Sequence, residues 1–346
     1  MLSDLSYEEL GQYVKNLGLP AFRSEQIFDA IYSAKTLEEI SNLPKGIKEI
    51  ISKDYPSYKI ARKFISRDGT EKYIIELCDK NIVECVLMKY KYGYTICVST
   101  QVGCRMGCKF CASTLGGRVR DLSAGEILAP ILLVNREKGG SRRERKITNV
   151  VLMGSGDPLD NYDNVVKFLG LVSSSKGLNI SERNISLSTC GIVDKIYSLA
   201  DLEKNITLTI SLHATTDEKR REIMPIANKY SISEILKVCK YYFEKTGRKI
   251  YFEYTLIKGI NDSESDAENL AKLLKGLMCH VNLIPLNPVK ERSLAPTSRL
   301  FAYKFMDNLK SKGVSATVRR TMGKDIEGAC GQLRNKILQE GKAWKE

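Results

Sequence analysis

The feature that most constrains the fold is an alternation of strand-like and helix-like segments that fills the chain from residue 94 onward. Six apolar, β-branched runs occupy residues 95–99, 149–153, 184–189, 206–212, 249–257 and 280–285, and helix-like stretches separate them. Capping boxes open two of these helices, at Ser123 with Glu126 and at Ser231 with Glu234. Strands joined through helices pair in parallel with right-handed crossovers. We therefore predict an α/β fold, a partial (β/α)6 barrel, with a late strand at 314–319.

The first 90 residues follow a different pattern. Ser6 and Glu9 form another capping box, and helical periodicity recurs over residues 23–33 and 45–53. Strand-like runs then follow at 58–66, 72–77 and 82–88. The sequence predicts three parts: a small helical and β-hairpin accessory domain at 1–90, the barrel at 91–320, and a C-terminal segment at 321–346. RNA binding suits the accessory domain, and a packing role alone is an equal alternative.

Three cysteines lie in one short loop after the first barrel strand. Cys104, Cys108 and Cys111 have C-x3-C-x2-C spacing, with no fourth cysteine close behind. A four-iron cluster held by three thiolates keeps one iron open to a ligand, whereas structural metal sites close their coordination. The alternative is a zinc site completed by Cys97 or a distant cysteine, but zinc sites favour two C-x2-C pairs. The spacing is the signature of the radical S-adenosylmethionine (SAM) superfamily, in which SAM chelates the open iron.

The chain is strongly basic. Its 54 basic and 41 acidic residues give a formal net charge of +13 and an isoelectric point of about 9.1. This excess suits a polyanionic partner such as RNA or DNA, and a generally basic surface is the alternative interpretation. The basic residues cluster at 89–92, at 142–146, at 319–320 and in the tail at Arg334, Lys336, Lys342 and Lys345. Tyrosines interleave the first cluster, which suits base stacking or strand packing equally.

Composition also restricts the compartment. No apolar run approaches the roughly 18 residues needed to span a bilayer, and the N-terminus lacks the basic start and apolar core of a signal peptide. Ten cysteines without a secretory signal indicate a reducing environment. We therefore expect a cytoplasmic protein with no membrane partner.

Polar residues recur at the carboxyl ends of the predicted strands, where barrels of this kind have their active sites. They are Gly156, Asp157, Ser188, Ser211, His213 and Asn287, with Leu212 between two of them. A cofactor site is the hypothesis, although any one of these side chains alone is more often a cap. Cysteines 78, 190, 239 and 279 occur in apolar or helical contexts and are interpreted as small core residues.

The sequence closely resembles the radical SAM RNA adenine-C2 methyltransferases, the dual-specificity 23S rRNA/tRNA enzymes of bacteria, over essentially its whole length. The resemblance rests on segments 83–87, 97–104, 211–213, 282–288 and 329–333. Two residues depart from the family pattern. Leu286 stands where an aromatic residue is common, which should tune the adenosine pocket rather than abolish it. The glycine segment of the family usually reads Gly-x-Gly-Glu-Pro, and Asp157 replaces the glutamate here. The carboxylate is kept with a shorter reach.

The resemblance implies a function and a role for each site residue. It implies methylation at C2 of an adenosine in the peptidyl transferase centre of 23S rRNA and of the adenosine 3′ of the tRNA anticodon. Two SAM molecules are used per turnover with one [4Fe-4S] cluster. The implied catalytic residues are Cys330 as the S-methylcysteine intermediate, Glu84 as the proton acceptor and Cys97 as the resolving thiol, which forms a transient disulfide with Cys330. The implied SAM contacts are Gly156, Asp157, Ser188, Ser211, Leu212, His213 and Asn287, and the cluster ligands are Cys104, Cys108 and Cys111.

The implied electron donor is a flavodoxin or a ferredoxin, and a monomer is the default expectation. Two alternatives stay open. The sister family methylates adenine at C8 in rRNA, which confers antibiotic resistance, and it shares the cluster and the paired cysteines. A non-catalytic, metal-stabilised RNA-binding protein is the second alternative.

Overall fold

The computed structural model describes residues 1–333. The basic tail residues Arg334, Lys336, Lys342 and Lys345 lie outside the described residues, as does the second half of the predicted 321–346 segment.

The twelve strands are β1 Lys59–Ile65, β2 Glu71–Glu76, β3 Ile82–Tyr90, β4 Gly93–Val98, β5 Gln101–Gly103, β6 Arg118–Asp121, β7 Ile147–Leu152, β8 Ile185–Thr189, β9 Thr207–Ser211, β10 Ile250–Leu256, β11 Cys279–Pro285 and β12 Ala316–Val318 within residues 1–333. The α-helices of the same range are α1 Tyr7–Asn16, α2 Phe22–Tyr32, α3 Lys45–Ile51, α4 Ala124–Glu137, α5 Tyr162–Ser173, α6 Val193–Asp201, α7 Asp217–Ile223, α8 Ile232–Thr246, α9 Glu264–Leu274 and α10 Arg299–Ser311.

One ten-stranded sheet organises the fold. Its strand order is β1-β2-β3-β4-β7-β8-β9-β10-β11-β12. The strands from β4 to β12 in this order pair in parallel, and β1 to β4 pair antiparallel. The predicted α/β class and partial barrel are therefore confirmed. The accessory hairpin strands continue the barrel sheet, and a small β5–β6 sheet that the sequence analysis did not predict flanks the cysteine loop.

Local sequence explains where the helices begin. Ser6, Ser123 and Ser231 each accept a hydrogen bond from the main-chain N–H three residues later, and the glutamate at that position bonds back. The parallel strands are buried on both faces, since helices cover one face and the barrel interior the other. Strand β10 illustrates this, because six of its seven residues are buried.

The N-terminal helices pack against α4 and α5 of the barrel. The main-chain N–H of Gly125, in the first turn of α4, donates to the carboxylate of Asp4 over 2.7 Å. The hydroxyl of Tyr32 donates to the carbonyl oxygen of Leu171 over 3.2 Å. These contacts give the accessory part a buried interface with the barrel. Within residues 1–333, no helix is long and apolar enough to cross a membrane.

This interface yields a prediction for a pair of helical glycines. A Cβ on Gly125 would lie 2.7 Å from main-chain and side-chain carbon atoms of Ser3, whereas a Cβ on Gly170 in α5 meets nothing within 4 Å. We expect Gly125→Ala to lower the free energy of unfolding by about 1–3 kcal/mol through overpacking. Gly170→Ala should raise it by about 0.5–1 kcal/mol, because alanine is the better helix former. Urea denaturation of both variants checks this, and equal midpoints would contradict the packed interface.

Candidate active site

The cysteine loop begins where β4 and the short β5 deliver the chain to the carboxyl edge of the sheet. Gly103 has a φ of +77°, and a Cβ there would overlap the carbonyl oxygen of Gly117. That carbonyl accepts a hydrogen bond from the main-chain N–H of Cys104 over 2.9 Å. Glycine at 103 is therefore required both by the left-handed backbone and by the close approach of the two loop ends.

Cys104, Cys108 and Cys111 line one cavity, which we call the first cavity; its wall also includes Asp157, Ser211 and Cys330. Among residues 1–333, no three His, Cys, Asp or Glu side chains are arranged to hold a single metal ion. Burial raises the pKa of the Cys104 thiol to about 12, and cationic iron would favour its thiolate.

The first cavity also collects most of the predicted SAM contacts. Gly156, Asp157, Ser188, Ser211, His213 and Asn287 all contribute to its wall. Leu212 differs, because its side chain is fully buried in the hydrophobic core. Leu212 does not line the first cavity, and its main-chain N–H donates to the carbonyl of Glu253 over 3.1 Å.

Asp157 is bound tightly by the protein itself. Its carboxylate accepts hydrogen bonds from the main-chain N–H groups of Cys190 (2.6 Å) and Leu159 (2.9 Å) and from the hydroxyl of Thr189 (2.9 Å). Burial raises the pKa of Asp157, and the hydrogen bonds oppose that shift. The side chain thus links the end of β7 to the end of β8 while facing the cavity.

His213 is held as a neutral acceptor. Its Nδ1 accepts the main-chain N–H of Thr255 over 2.9 Å, and the ring meets Phe110 edge-on at 4.7 Å. The residue has a φ of +57°, which is uncommon outside glycine, and its carbonyl oxygen accepts the side-chain amide of Asn261 over 2.7 Å. Burial lowers its pKa to about 3. A neutral imidazole fits orientation and packing better than proton transfer.

The segment that carries Cys330 is fixed from two sides. On the accessory side, the hydroxyl of Ser66 donates to Asp325 over 2.5 Å, and the main-chain N–H of Gly323 donates to Asp68 over 2.9 Å. On the barrel side, the main-chain carbonyl groups of three residues of the segment accept hydrogen bonds. The Asn287 side-chain amide donates to the carbonyl of Cys330 (3.0 Å), the Ala112 N–H to that of Gly331 (2.8 Å), and the Ser113 hydroxyl to that of Leu333 (2.7 Å).

Cys330 also lines a second cavity, whose wall includes Cys97, Tyr90, Arg319 and Arg320. Cys330 is exposed. It lines both cavities, as do Met153 and Asn287. The dense protein around the two thiols raises the pKa of Cys330 and of Cys97 to about 12 each, and Arg319 acts in the opposite direction on both. All ten cysteines are free thiols in this structure, so the predicted disulfide is not formed in it.

Glu84 is buried on β3 and does not contribute to the wall of either cavity. Val86, two residues further along the strand, lines the second cavity, and side-chain alternation puts Glu84 on the same face. The Glu84 carboxylate lies 3.3 Å from Nζ of Lys72 on β2. The same ammonium group donates to the carbonyl of Glu327 over 3.4 Å, so Lys72 joins Glu84 to the Cys330 segment.

Known proteins resemble this chain in sequence and in structure. A profile of the Radical SAM superfamily matches residues 98–274. The chain is 54% identical over 350 residues to the probable dual-specificity RNA methyltransferase RlmN of Clostridium perfringens (strain SM101 / Type A), covering 97% of each chain. The protein of that name from Lachnospira eligens is 49% identical over 344 residues, covering 98% of this chain and 97% of its own. A solved radical SAM methyltransferase from Sphaerobacter thermophilus matches with a TM-score of 0.92 at 38% identity, covering 97% and 99% of the two chains.

The chain belongs to the RlmN family. It is a radical SAM RNA methyltransferase, and membership implies a [4Fe-4S] cluster and SAM as cofactors. The chemistry of the donor set agrees, because three soft thiolates and a polar wall share the first cavity. The C-x3-C-x2-C loop, the most specific signal in the sequence, lies inside the matched region.

Two RlmN-site features escaped the sequence analysis. Glu253 lines the first cavity and forms a part-buried 2.7 Å ion pair with Arg319, which lines the second. The signal was a single acidic residue within the apolar strand β10. Cys190, interpreted as a core residue, is buried as expected, but it also lines the first cavity in a small apolar cluster with Cys108.

The buried, neutral His213 predicts a pH dependence of stability. Its pKa is about 3 in the folded protein and about 6.5 when unfolded, so its contribution is complete above pH 6.5 and is lost as the pH falls below it. As the pH falls from 7.5 to 5, we expect protonation of His213 in the unfolded chain to lower the free energy of unfolding by about 2 kcal/mol. His213→Asn should flatten this part of the urea-denaturation profile. The comparison variant His280→Asn should flatten it less, because burial lowers the pKa of His280 by a smaller amount. An unchanged profile in His213→Asn would argue that this imidazole is protonated in the fold.

Proposed function

We propose that this RlmN-family protein methylates C2 of an adenosine, in the peptidyl transferase centre of 23S rRNA and 3′ of the tRNA anticodon, with Cys330 as carrier of the transferred carbon. The observation that carries the proposal is that Cys330 lines both cavities. One thiol therefore faces the cysteine loop and the predicted SAM contacts on one side, and Cys97 on the other. A carbon carrier needs this access, because it is loaded in one site and discharged in another.

The first cavity is the proposed cofactor site. Cys104, Cys108 and Cys111 would hold the [4Fe-4S] cluster, and Asp157, Ser188 and Ser211 would contact SAM. When bound there, the cluster and two SAM molecules per turnover supply a methyl group and a 5′-deoxyadenosyl radical. The protein orients these reagents beside Cys330. The apolar side chains of Phe110 and Met224 in the cavity wall limit the access of water.

In this proposal the second cavity receives the target base. The Cys330 thiolate would displace a methyl group from one SAM and become a methyl thioether. That methyl group would give up a hydrogen atom to the 5′-deoxyadenosyl radical, and its carbon would then bond to C2 of the adenine as the C2 hydrogen leaves as a proton and one electron returns to the cluster. Thiolates, not thiols, are the nucleophiles in such transfers. Arg319 supports both thiolates, since its positive charge opposes the desolvation by surrounding protein that raises the pKa of Cys330 and Cys97.

Glu84 is the proposed proton acceptor for the hydrogen on C2. The Lys72 ammonium group lies 3.3 Å from its carboxylate and also donates to the carbonyl of Glu327 in the Cys330 segment. Because Glu84 is buried beyond Val86, an adenine that reaches it must enter the second cavity deeply. Deep insertion of an unpaired base is the usual way for an enzyme to reach a base atom.

Cys97 is the proposed resolving thiol. Its thiolate attacks the Cys330 sulfur, the bond from that sulfur to the RNA-linked carbon breaks, and the carbon takes the electron pair and a proton to become the methyl group. A disulfide between Cys97 and Cys330 results, which an external thiol reductant must reopen. Both thiols line the second cavity, and this supports the step. We further propose a flavodoxin or ferredoxin as electron donor and a monomer acting in the cytoplasm.

Substitution of the two thiols tests the proposal directly. Cys330→Ala should abolish methylation of a 23S rRNA fragment and of tRNA, because no carbon carrier remains. Cys97→Ala should instead accumulate RNA joined covalently to Cys330, because the attacking thiol is missing. Denaturing electrophoresis and mass spectrometry of reactions with SAM and a reductant measure both outcomes. Cys78→Ala, a half-buried thiol outside both cavities, is the matched control and should stay active.

Full RNA methylation by Cys330→Ala would refute the carrier role. The position of the methyl group is decided by digesting the product RNA and separating the methyladenosine isomers. We expect 2-methyladenosine, and 8-methyladenosine would assign the chain to the sister activity.

The proton-acceptor role yields a separate prediction. Glu84→Gln keeps the side-chain volume but removes the base, so RNA methylation should fall about 10²- to 10⁴-fold. S-methylation of Cys330, measured by mass spectrometry, should be unaffected, because that step needs no base at C2. The matched control is Glu71→Gln, since Glu71 lies on β2 and pairs with Lys63 and Lys138 away from both cavities. Loss of Cys330 methylation in Glu84→Gln would show that Glu84 acts elsewhere in the cycle.

A further inference from the structure

The hairpin between β3 and β4 stands at the mouth of the second cavity. Met88 and Tyr90, near the end of β3, line that cavity, and the chain then turns through Lys91 and Tyr92 into β4. Gly93 begins β4 with a φ of +127°, and a Cβ there would lie 2.6 Å from side-chain atoms of Thr148. The hairpin is thus held closely against the parallel sheet, and its tip has a defined position.

Two tyrosine rings lead from the cavity to the surface. Tyr90 and Tyr92 stack with ring centroids 5.0 Å apart and an interplanar angle of 6°. Tyr90 lines the cavity, whereas Tyr92 is 64% exposed. Strand packing therefore does not account for Tyr92, whose ring contacts Tyr90 and offers an aromatic surface to solvent. An isolated exposed aromatic residue is ordinary on a protein surface, but one stacked on the wall of a substrate cavity is not isolated.

Positive charge surrounds this pair of rings. Lys89 and Lys91 flank the tip and are exposed, and neither is ion-paired within residues 1–333. Arg319 and Arg320 line the same cavity as Tyr90, and Arg320 is exposed. An aromatic face with exposed cations around it is the composition of a site for single-stranded nucleic acid, where bases stack and phosphates meet lysine and arginine.

We propose that Tyr92, supported by Tyr90, is the stacking platform for an unpaired nucleotide that adjoins the target adenosine, with Lys89, Lys91 and Arg320 contacting its phosphates. The inference rests on the proposed function, in which the target base occupies the second cavity. A base pulled into that cavity leaves its neighbour unstacked at the mouth, and the ring of Tyr92 replaces the lost stacking partner. Stacking accepts any base, so the platform contributes affinity for an unpaired strand and no base identity.

The platform affects RNA binding and does not affect the earlier step, the S-methylation of Cys330. Replacing Tyr92 by alanine removes one base–aromatic stack, which is typically worth about 1–3 kcal/mol and so about five- to 150-fold in affinity. We expect Tyr92→Ala to raise the Kd and the KM for RNA by that factor. The kcat at saturating RNA and the S-methylation of Cys330 in the absence of RNA should be unchanged. Tyr92→Phe, which keeps the ring, should bind RNA as the wild type does.

The experiment uses the reconstituted holoenzyme and an RNA stem-loop with a target adenosine between unpaired nucleotides. Tyr241→Ala is the matched control, because Tyr241 also pairs with another tyrosine ring (Tyr197, 5.0 Å) beside a lysine, but on the outer helices α6 and α8. Lys89→Gln and Lys91→Gln should each lower the salt dependence of binding, by about 0.7 in the slope of log Kd against log salt. A target adenosine in a continuous duplex should bind equally weakly to the wild type and to Tyr92→Ala.

Three other outcomes would each contradict one part of these proposals. An unchanged Kd and KM in Tyr92→Ala would refute the platform while RNA methylation by the wild type continued. A wild type that methylates no RNA, yet binds it through Tyr92, would refute the proposed function and leave the platform. An effect of Tyr92→Ala only when a protein reductant replaces a chemical one would instead make the tip a docking surface for the electron donor.

Discussion

The active site depends on the hydrogen bonds that hold the segment around Cys330. Its carbonyl groups accept donors from Ala112 and Ser113, next to the cysteine loop, and from Asn287 at the end of β11. Its other end is tied to the β1–β2 turn through Asp68 and Asp325. These partners lie far apart in the chain, so the position of Cys330 is a property of the complete fold. The same bonds make the accessory hairpin part of the site, which explains why its strands continue the barrel sheet.

Two arginines inside the site have defined partners: Arg319 pairs with a carboxylate, and Arg220 donates to carbonyl groups. Glu253 and Arg319 form an ion pair between the two cavities, and each cavity thereby receives one member of the pair. Arg220 is fully buried and donates to the carbonyl oxygens of Cys190 and Ser211, where β8 and β9 end. A buried cation satisfied by carbonyl groups fixes those strand ends, because any displacement would leave a charge without partners. Several walls of the first cavity are therefore rigid before a ligand enters.

Local chemistry explains which parts of the fold could be predicted. The parallel strands have continuous apolar runs and the helices have capping boxes, and both signals lie within a few residues. The strand predicted at 149–153 therefore agrees closely with β7, and the helix start predicted at Ser231 agrees with α8. The cysteine spacing identified the superfamily for the same reason. The Lys72–Glu84 contact, the Glu253–Arg319 pair and the β5–β6 sheet escaped prediction because each joins residues that only the tertiary fold brings together. Cys190 was interpreted correctly as buried, but burial alone does not tell a core residue from a cavity wall.

The aspartate at 157, where the family usually has glutamate, illustrates how such a site can tolerate a shorter side chain. An ionised carboxylate has about four acceptor positions, and Leu159, Thr189 and Cys190 use three of them. The Cys190 thiol, a weak donor, also bonds to this carboxylate, and a single N–H of an ammonium group in the first cavity would compete with it for the fourth position. Burial raises the pKa of Asp157, so a cation bound there would in turn favour the carboxylate form. The shorter residue is thus held by the ends of β7 and β8, and ligand binding and ionisation reinforce each other.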